Sequence, residues 1–296
     1  MSTPRAALVE AARESIARGS KSFALASKLL DQPTRERAWL LYSWCRKCDD
    51  LADGQEYGGA LSTAHDPQAA IALIRDLTAK ALAGDPTGDP AFDALGLVAA
   101  ECAIPRKYID DLIAGFALDA EGWHPRSEAD LLQYCYHVAG TVGCMMAVIM
   151  GVDPADEDTM KRACDLGLAF QLANIARDIS EDDAGGRCYI PDVWLAEADM
   201  APGEHMRPHN RSRLADIAWW LADMAQDHEA SARIGARKLP FRARWAVLTA
   251  AGIYGDIARE VAARGSTAWD ARVVIGKRTK LAWVVKAFGQ AIRNGG

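Results

Sequence analysis

The chain has 296 residues, of which 50% are hydrophobic and 25% charged, and its formal net charge is −6 at pH 7. This is the composition of an ordinary globular protein, and so modest a negative charge argues against a nucleic acid partner. The length exceeds that of a typical domain, yet an all-helical protein can extend one core over it, so we predict a single domain over residues 1–296.

The seven cysteines are odd in number and lack the close spacing of a disulfide framework. They predict free thiols in a reducing compartment, so we expect a cytoplasmic protein. Near the N-terminus, Arg5, Glu10 and Arg13 stand where a signal peptide would need an uninterrupted apolar core. We therefore expect no secretion signal there.

Helical periodicity recurs along the whole chain, with apolar residues three and four apart, and alternating runs typical of strands are missing. The sequence therefore predicts an all-α fold. In chain order, helix starts are predicted at Pro33-Thr34, at Pro105, at the capping sequence of residues 127–130, and at Asp153-Pro154.

Residues 131–152 form an apolar stretch that contains no Asp, Glu, Lys or Arg and is long enough to cross a bilayer. However, Gln133, Tyr136 and Thr141 place polar groups along its first half, where a lipid-facing helix would leave them unpaired. A helix that is apolar all round is also typical of the centre of a large helical protein. We predict a buried central helix.

A first acidic cluster, Asp49-Asp50-Leu51-Ala52-Asp53, ends an otherwise apolar predicted helix. Asp49 and Asp53 are four residues apart, which places both carboxylates on one helix face, about 6 Å apart along the axis. Three acids at a helix C-terminus repel one another and the helix dipole. We therefore expect a cation to offset them.

A second cluster lies in residues 171–182, where Asn174, Asp178 and Asp182 repeat the four-residue spacing and share a face. Carboxylate and amide oxygens suit a hard cation such as Mg²⁺, which keeps some waters and binds substrate phosphate. Each cluster alone could be a solvated acidic helix end. Finding two on apolar helices favours a magnesium–diphosphate clamp between facing helices.

At these residues the sequence resembles the squalene and phytoene synthase family, within the trans-prenyl-diphosphate synthase superfamily. The similar blocks are residues 19–23, 45–53, 134–143, 171–182 and 187–191 and, more loosely, Tyr254 and residues 272–280. A lone DDxxD motif is weak, but these blocks in this order are specific. The resemblance implies a class I isoprenoid synthase helical fold with a central apolar cavity.

The resemblance also implies roles for the residues at matching positions. The metal and diphosphate motifs are matched by Asp49, Asp50, Asp53, Asn174, Asp178 and Asp182. Positions that meet the diphosphates are matched by Ser20, Ser22, Arg46, Arg177, Tyr254, Arg272 and Lys277. The cavity wall or the region of the reacting carbons is matched by Phe23, Tyr136, Val142, Gly143 and Gln171. The expected catalytic residues are Asp49, Asp53, Asp178, Asp182, Tyr136 and Arg177.

The reaction implied by the resemblance joins two isoprenoid diphosphates head to head through a cyclopropyl diphosphate intermediate, with Mg²⁺, or Mn²⁺ in its place, as cofactor. The blocks look most like those of bacterial phytoene synthases. That likeness implies two geranylgeranyl diphosphates as substrates and phytoene, for carotenoid biosynthesis, as product. The proton acceptor could be the leaving diphosphate or Tyr136, and the sequence does not choose between them.

Three alternatives remain at this stage. One is a dehydrosqualene or squalene synthase that acts on farnesyl diphosphate, although without a GxGxxG fingerprint we expect no nicotinamide cofactor. Another is a class I terpene cyclase. The third is a non-catalytic helical protein that docks on membranes through its basic C-terminal region. Peripheral membrane association is expected of the enzyme too, because its substrates and product are lipids. The sequence does not indicate the oligomeric state.

Overall fold

A computed structural model of the chain describes residues 3–54 and 66–293. Every regular element in these two ranges is helical, which confirms the predicted all-α fold. The α-helices of the described residues are α1 (Arg5–Gly19), α2 (Lys21–Ser27), α3 (Gln32–Asp53), α4 (Pro67–Ala83), α5 (Pro90–Cys102), α6 (Arg106–Ala120), α7 (Glu128–Cys135), α8 (Thr141–Ile149), α9 (Glu157–Ala184), α10 (Asp192–Glu197), α11 (Arg211–Gly235), α12 (Phe241–Arg264) and α13 (Lys277–Arg293).

Side-chain caps fix where the important helices begin and end. Asp31 accepts a hydrogen bond from the Thr34 amide at 3.1 Å and starts α3, which ends at Gly54 in the left-handed conformation (φ +64°). Ser127 and Asp130 form a reciprocal capping box that starts α7. The predicted starts near Pro33-Thr34 and residues 127–130 are therefore confirmed.

The start of α9 differs from the prediction. The helix begins at Glu157, where Asp156 accepts a hydrogen bond from the Thr159 amide at 3.2 Å, and not at Asp153-Pro154. The Asp153 carboxylate instead accepts the Ala155 amide at 2.9 Å, which closes a turn ahead of the helix. A second capping residue three positions later thus sets the boundary.

The buried residues form two large clusters on either side of a cavity. One combines side chains of α1, α3, α4, α5, α6 and α8 around Trp44 and Phe92, which are completely buried. The other combines α7, α9, α10, α11 and α12. At 28 residues α9 is long enough to contribute to both clusters. Its central position explains why the second acidic cluster, near its C-terminus, faces the interior.

Within the described residues, one helical stretch, Glu128–Ile149, could cross a membrane by length and composition. It consists of α7, a π-helical turn over Tyr136–Gly140, and α8. Half of its most apolar window is buried inside the protein, and a core helix passes the same test. Leu131 and Met145 are completely buried, while Val142 and its neighbours line the cavity. This agrees with the prediction of a buried central helix, and the helix also forms part of a cavity wall.

Glycines allow α8 and α9 to touch backbone to backbone. A Cβ atom on Gly143 would lie 2.2 Å from the carbonyl oxygen of Ala163, and one on Gly167 would lie 2.2 Å from that of Ala139. Neither distance leaves room for a methyl group. Gly143, which was expected at the reaction site, therefore also holds the cavity wall together.

All seven cysteines lie in the described ranges and are free thiols, as predicted. Burial raises the pKa of Cys45, whose side chain lines the cavity, to about 12. A thiol with that pKa is almost entirely protonated at neutral pH, so Cys45 is not an activated nucleophile.

Candidate active site

A long apolar cavity encloses ≈ 330 Å³ between α2, α3, α8, α9 and α12. Its wall includes seven of the predicted site residues, namely Ser20, Phe23, Val142, Gly143, Gln171, Asn174 and Tyr254. Along α9 the wall runs from Thr159 to Asn174, which at 1.5 Å per residue corresponds to roughly 22 Å. The cavity therefore has the shape that an extended hydrocarbon chain requires.

Eleven predicted site residues do not line this wall. Eight of them are the aspartates of the two acidic clusters and the arginines Arg46, Arg177 and Arg272, and the other three are Ser22, Tyr136 and Lys277. Tyr136 lies in the π-helical turn, and its hydroxyl donates to the Asp111 carboxylate at 2.6 Å. Ser22 is half-buried on α2, and Lys277 is exposed and makes no ion pair with a described residue. The contact with Asp111 turns the Tyr136 hydroxyl toward α6, so the structure does not place it on the cavity wall.

The first acidic cluster lies at the C-terminal end of α3 and is held by arginines. Arg46 contacts Asp49 at 3.1 Å and Asp50 at 2.5 Å, and Arg187 contacts Asp53 at 3.0 Å. Burial, with repulsion from Asp53, raises the pKa of Asp49 to about 6. The two arginines therefore do not offset all the negative charge of the three carboxylates.

The second acidic cluster, near the C-terminal end of α9, is also held by arginines and also contains a carboxyl with a raised pKa. Asp178 accepts hydrogen bonds from Arg177 Nε at 2.7 Å and from Arg272 Nη2 at 2.9 Å. Burial, with repulsion from Asp178, raises the pKa of Asp182 to about 7. Arg177 and Arg272, which the resemblance matches to positions that meet the diphosphates, thus both lie beside this cluster.

Two residues from other elements show that the clusters face each other. Arg187, in the loop after α9, pairs with Asp53 of the first cluster, and its charge also acts on Asp182 of the second. Asp119, near the end of α6, repels both Asp49 and Asp182. The two acidic clusters therefore share one region at the polar end of the cavity.

Asp119 is the centre of a hydrogen-bond network that the sequence did not reveal. The hydroxyl groups of Tyr134 and Tyr189 donate to its carboxylate at 2.9 and 2.8 Å, and their rings stack with centroids 4.8 Å apart. Burial raises the pKa of Asp119, and the positive charge of Arg187 opposes that shift. Tyr134, and not Tyr136, is thus the tyrosine of this helix that approaches the acidic clusters. The block 187–191 was the signal for Tyr189 and Arg187, but Asp119 is an isolated acid without a pattern.

Lysines add positive charge to the same end of the cavity. Burial and the proximity of Lys21 lower the pKa of Lys280 on α13. Ser20 and Arg177 stand close to the Tyr254 hydroxyl. Two cations held near each other favour an anion between them. Lys280, one turn beyond the predicted Lys277, is therefore the α13 lysine that the structure brings to the polar end.

The donor atoms at the acidic end of the cavity are carboxylate and amide oxygens, which suit a hard divalent cation. The side-chain oxygen of Asn174 is buried on the cavity wall without a hydrogen-bond partner in the described part of the chain. Across that same part of the chain, no three Asp, Glu, His or Cys side chains converge as a preassembled metal site. Arginines instead pair with the carboxylates of Asp49, Asp53 and Asp178. The residues fit a cation that binds together with an anionic group: the cation would contact the carboxylates, and the anion would contact the arginines that now pair with them.

Comparison with known proteins identifies a relationship over nearly the full length. The family model described as squalene/phytoene synthase matches residues 16–279. A phytoene synthase of Pseudescherichia vulneris is 44% identical over 288 residues, which cover 97% of this chain and 93% of the relative. A 15-cis-phytoene synthase of Enterobacter agglomerans is also 44% identical, over 93% of this chain and 92% of its own length.

The fold has a solved counterpart. A crystal structure of a dehydrosqualene synthase in complex with a ligand superimposes with a TM-score of 0.87, covers 98% of each chain and is 24% identical. At that identity the likeness concerns the fold alone. It bears out the expected isoprenoid synthase architecture.

Proposed function

Because this chain belongs to the squalene/phytoene synthase family, we propose that it is a phytoene synthase that condenses two geranylgeranyl diphosphates head to head and releases both diphosphates. One observation carries the chemistry: two acidic clusters held by arginines face each other at the polar end of a long apolar cavity. Phytoene is proposed as the product because the similar bacterial proteins are phytoene synthases. The chain would act as a single domain in carotenoid biosynthesis.

A divalent cation, which we propose to be Mg²⁺ with Mn²⁺ as a substitute, would be held by oxygen atoms of Asp49, Asp53, Asn174, Asp178 and Asp182. When bound, it would neutralise the diphosphate so that the carbon–oxygen bond to the prenyl chain can break. Asp50, with its side chain only 11% exposed and bonded to Arg46, would position that arginine more than bind the cation.

The arginines would bind the diphosphate oxygens. Arg46, Arg177 and Arg272 now pair with the acidic clusters, and a cation on the carboxylates would free their guanidinium groups for the substrate. Arginine matches phosphate oxygens bidentately, and a donor aimed at developing charge lowers the barrier most. Lys280 and Lys21 would add charge at the same end.

The apolar wall would guide the carbocation that remains. Phe23 and Tyr42 lie with ring centroids 5.6 Å apart on this wall, and Phe170 and Tyr254 stack at 4.1 Å. Aromatic faces stabilise a cation, and an apolar wall keeps water from quenching it. The first cation would attack the double bond of the second chain, and proton loss would close the cyclopropyl ring. A second ionisation, rearrangement and proton loss would give phytoene without a nicotinamide cofactor.

The proton acceptor in this scheme would be the released diphosphate. Tyr136, the alternative acceptor, has its hydroxyl on Asp111 and lies off the cavity wall. The Tyr134 and Tyr189 hydroxyls both donate to Asp119. These tyrosines would instead orient Asp119 and Arg187 beside the acidic clusters.

Metal binding should depend on pH through Asp182. Its pKa of about 7 means that the free protein keeps this proton below pH 7, and the proton must leave before the carboxylate binds a cation. We expect affinity for Mg²⁺ with inorganic diphosphate to fall as the pH drops below 7, by up to tenfold per pH unit, and proton release on binding at pH 6.5. Calorimetry in two buffers of different ionisation enthalpy measures both. Equal proton release by wild type and Asp182→Asn would contradict the assignment.

The apolar end of the cavity should set the length of the substrate. Ala246 is buried on the cavity wall and belongs to the cluster that includes Leu30 and Leu239. A phenylalanine there would occupy space that the end of a long chain needs. We expect Ala246→Phe to lower kcat/KM for geranylgeranyl diphosphate at least about tenfold relative to farnesyl diphosphate. Competition between the two substrates measures this ratio, and Ala196→Phe, at an exposed position on α10, should leave it unchanged.

The same competition tests the choice of substrate in the wild-type protein. A preference for geranylgeranyl diphosphate supports the proposed function, and a product formed from farnesyl diphosphate alone would reassign the protein as a dehydrosqualene synthase. We also propose that the enzyme works in the cytoplasm, peripherally at a membrane surface, because its substrates and product are lipids.

A further inference from the structure

Helix α13 carries two apolar faces. The inner face packs on α12: Ala287 and Ala291 are completely buried, and the Trp245 indole donates to the Val284 carbonyl at 2.8 Å. The outer face, here called the docking face, consists of Leu281, Val285, Phe288 and Ile292, which are 63%, 68%, 42% and 57% exposed. Their spacing of four, three and four residues aligns them in one stripe. A helix that only needed to pack on α12 would not carry this second stripe.

Neighbouring helices extend the docking face. The ring of Phe241, at the start of α12 and 40% exposed, meets the ring of Phe288 edge-on with centroids 5.7 Å apart. Ile234, near the end of α11 and 48% exposed, follows Arg233, which donates to Gln290 of α13 at 3.2 Å. Exposed apolar side chains of α12 and α13 thus meet at one surface, and a contiguous patch of this kind marks an interaction site.

Positive charge surrounds the stripe. The 17 residues of α13 contain five basic residues and no acidic one, in a protein whose net charge is −6. Arg278 and Arg293, both exposed, form no ion pair with any residue in the ranges 3–54 and 66–293. The Lys286 ammonium lies 4.0 Å from the centroid of the Trp283 ring. Apolar stripe and unpaired cations together are typical of a helix that lies in a membrane interface.

We propose that α13 docks the protein on the surface of an anionic lipid bilayer, with the docking face in the acyl boundary and the basic residues at the headgroups. The proposal deepens the proposed function, on which it rests for the lipid nature of substrate and product. A second copy of the chain suits the face less well. Because α13 has no acid, pairing it with another α13 would bring cations against cations.

The position of α13 connects this surface with the cavity. Lys280 in its first turn lies close to Lys21, which directly follows the cavity-wall residue Ser20. Arg272, just before α13, reaches Asp178. A protein docked through α13 would therefore hold the polar end of its cavity near the membrane from which a lipid diphosphate comes.

Vesicle flotation with the full chain tests the proposal. The vesicles are phosphatidylcholine alone, or phosphatidylcholine with about a third phosphatidylglycerol. We expect wild type to float with the acidic vesicles and the double variant Val285→Ser/Ile292→Ser to partition at least about tenfold more weakly. The matched control, Leu73→Ser/Val193→Ser, changes two apolar residues, each 45% exposed, on α4 and α10, and should partition like wild type. Equal binding by wild type and the docking-face variant would overturn the proposal.

The charged part of the surface is tested separately. Arg278→Gln/Arg293→Gln should weaken binding to acidic vesicles by about fivefold per charge and leave binding to neutral vesicles unchanged. If the Val285→Ser/Ile292→Ser variant instead turned a dimer into a monomer in sedimentation and kept its vesicle binding, the face would be a self-interface and the proposal would fail.

An activity assay distinguishes a failure of the docking proposal from a failure of the proposed function. With substrate dispersed in detergent and no vesicles, the Val285→Ser/Ile292→Ser and Arg278→Gln/Arg293→Gln variants should form hydrocarbon at the wild-type rate. Loss of vesicle binding in the variants, combined with a wild-type protein that makes no hydrocarbon, would support docking while refuting the proposed function. Loss of activity in detergent along with vesicle binding would show a folding defect in α13 and overturn the docking assignment.

Discussion

Asp178→Asn is expected to lower hydrocarbon formation at least about 10²-fold, with little change in the melting temperature. Asp178 holds both Arg177 and Arg272 and shares a helix face with Asn174 and Asp182. An amide in its place removes the charge that would bind a cation and leaves the two arginines without their partner, and loss of one such electrostatic contact typically costs that much in rate. The turnover rate at saturating substrate and metal measures the effect.

Asp183→Asn is the matched control for this prediction. Asp183 lies on the same helix, about 140° around it from Asp178, and pairs with His205 at 3.4 Å. Burial lowers the pKa of His205, so its ring is neutral at pH 7 and an amide can replace the carboxylate beside it. Asp183→Asn should therefore keep the wild-type activity within about threefold. If Asp178→Asn retained more than about a tenth of the wild-type activity, the second acidic cluster would not be part of the catalytic machinery.

Gly167→Ala should lower the free energy of unfolding by about 3 kcal/mol or more. The added Cβ would lie 2.2 Å from the Ala139 carbonyl oxygen and 2.7 Å from the Gly140 Cα. Both atoms belong to backbone, so the contact can be relieved only by moving α9 away from the helix it crosses, and overpacking of a core is expensive. Urea denaturation followed by circular dichroism measures the change.

Gly289→Ala separates this packing effect from ordinary helix propensity. Gly289 lies within α13, and a Cβ there would meet no atom within 4 Å. Alanine should therefore stabilise the protein by about 0.5–1 kcal/mol. A Gly167→Ala protein that was as stable as Gly289→Ala would show that α8 and α9 do not depend on their close approach.

The parts of the site that the sequence predicted are those that local periodicity fixes. Asp49 with Asp53, and Asn174 with Asp178, are one helical turn apart, so their common face follows from the geometry of a single helix. The all-α fold follows in the same way from repeated apolar spacing. No single helix encodes the pairing of the two clusters, which was a hypothesis from their similarity and which the resemblance supported.

The remaining parts depend on contacts between distant elements. Arg187 reaches Asp53 across 134 residues of sequence, and Asp119 receives hydroxyl groups from two separate segments. Tyr134 and Tyr136 are two residues apart on one helical stretch, and only packing against α6 decides which hydroxyl meets Asp119 and which meets Asp111. The resemblance pointed to Tyr136 alone, because without that neighbour nothing in the sequence distinguishes the contacts of the two hydroxyl groups.

The arginine pairs also suggest why the acidic end is stable before substrate binds. Without Arg46, Arg177 and Arg187, the carboxylates of two helix ends would repel one another in a partly buried region. Burial, together with repulsion from the neighbouring aspartate, still raises the pKa values of Asp49 and Asp182. The site is therefore prepared to gain a cation and an anion together.

The most direct test of the central claim is incubation of the purified protein with geranylgeranyl diphosphate, with and without Mg²⁺ and without a nicotinamide cofactor, followed by chromatography of the extracted hydrocarbons. We expect phytoene that requires the metal and that is lost in Asp178→Asn but not in Asp183→Asn. If a folded protein with Mg²⁺ present forms no hydrocarbon from either geranylgeranyl or farnesyl diphosphate, the chain is not a phytoene synthase.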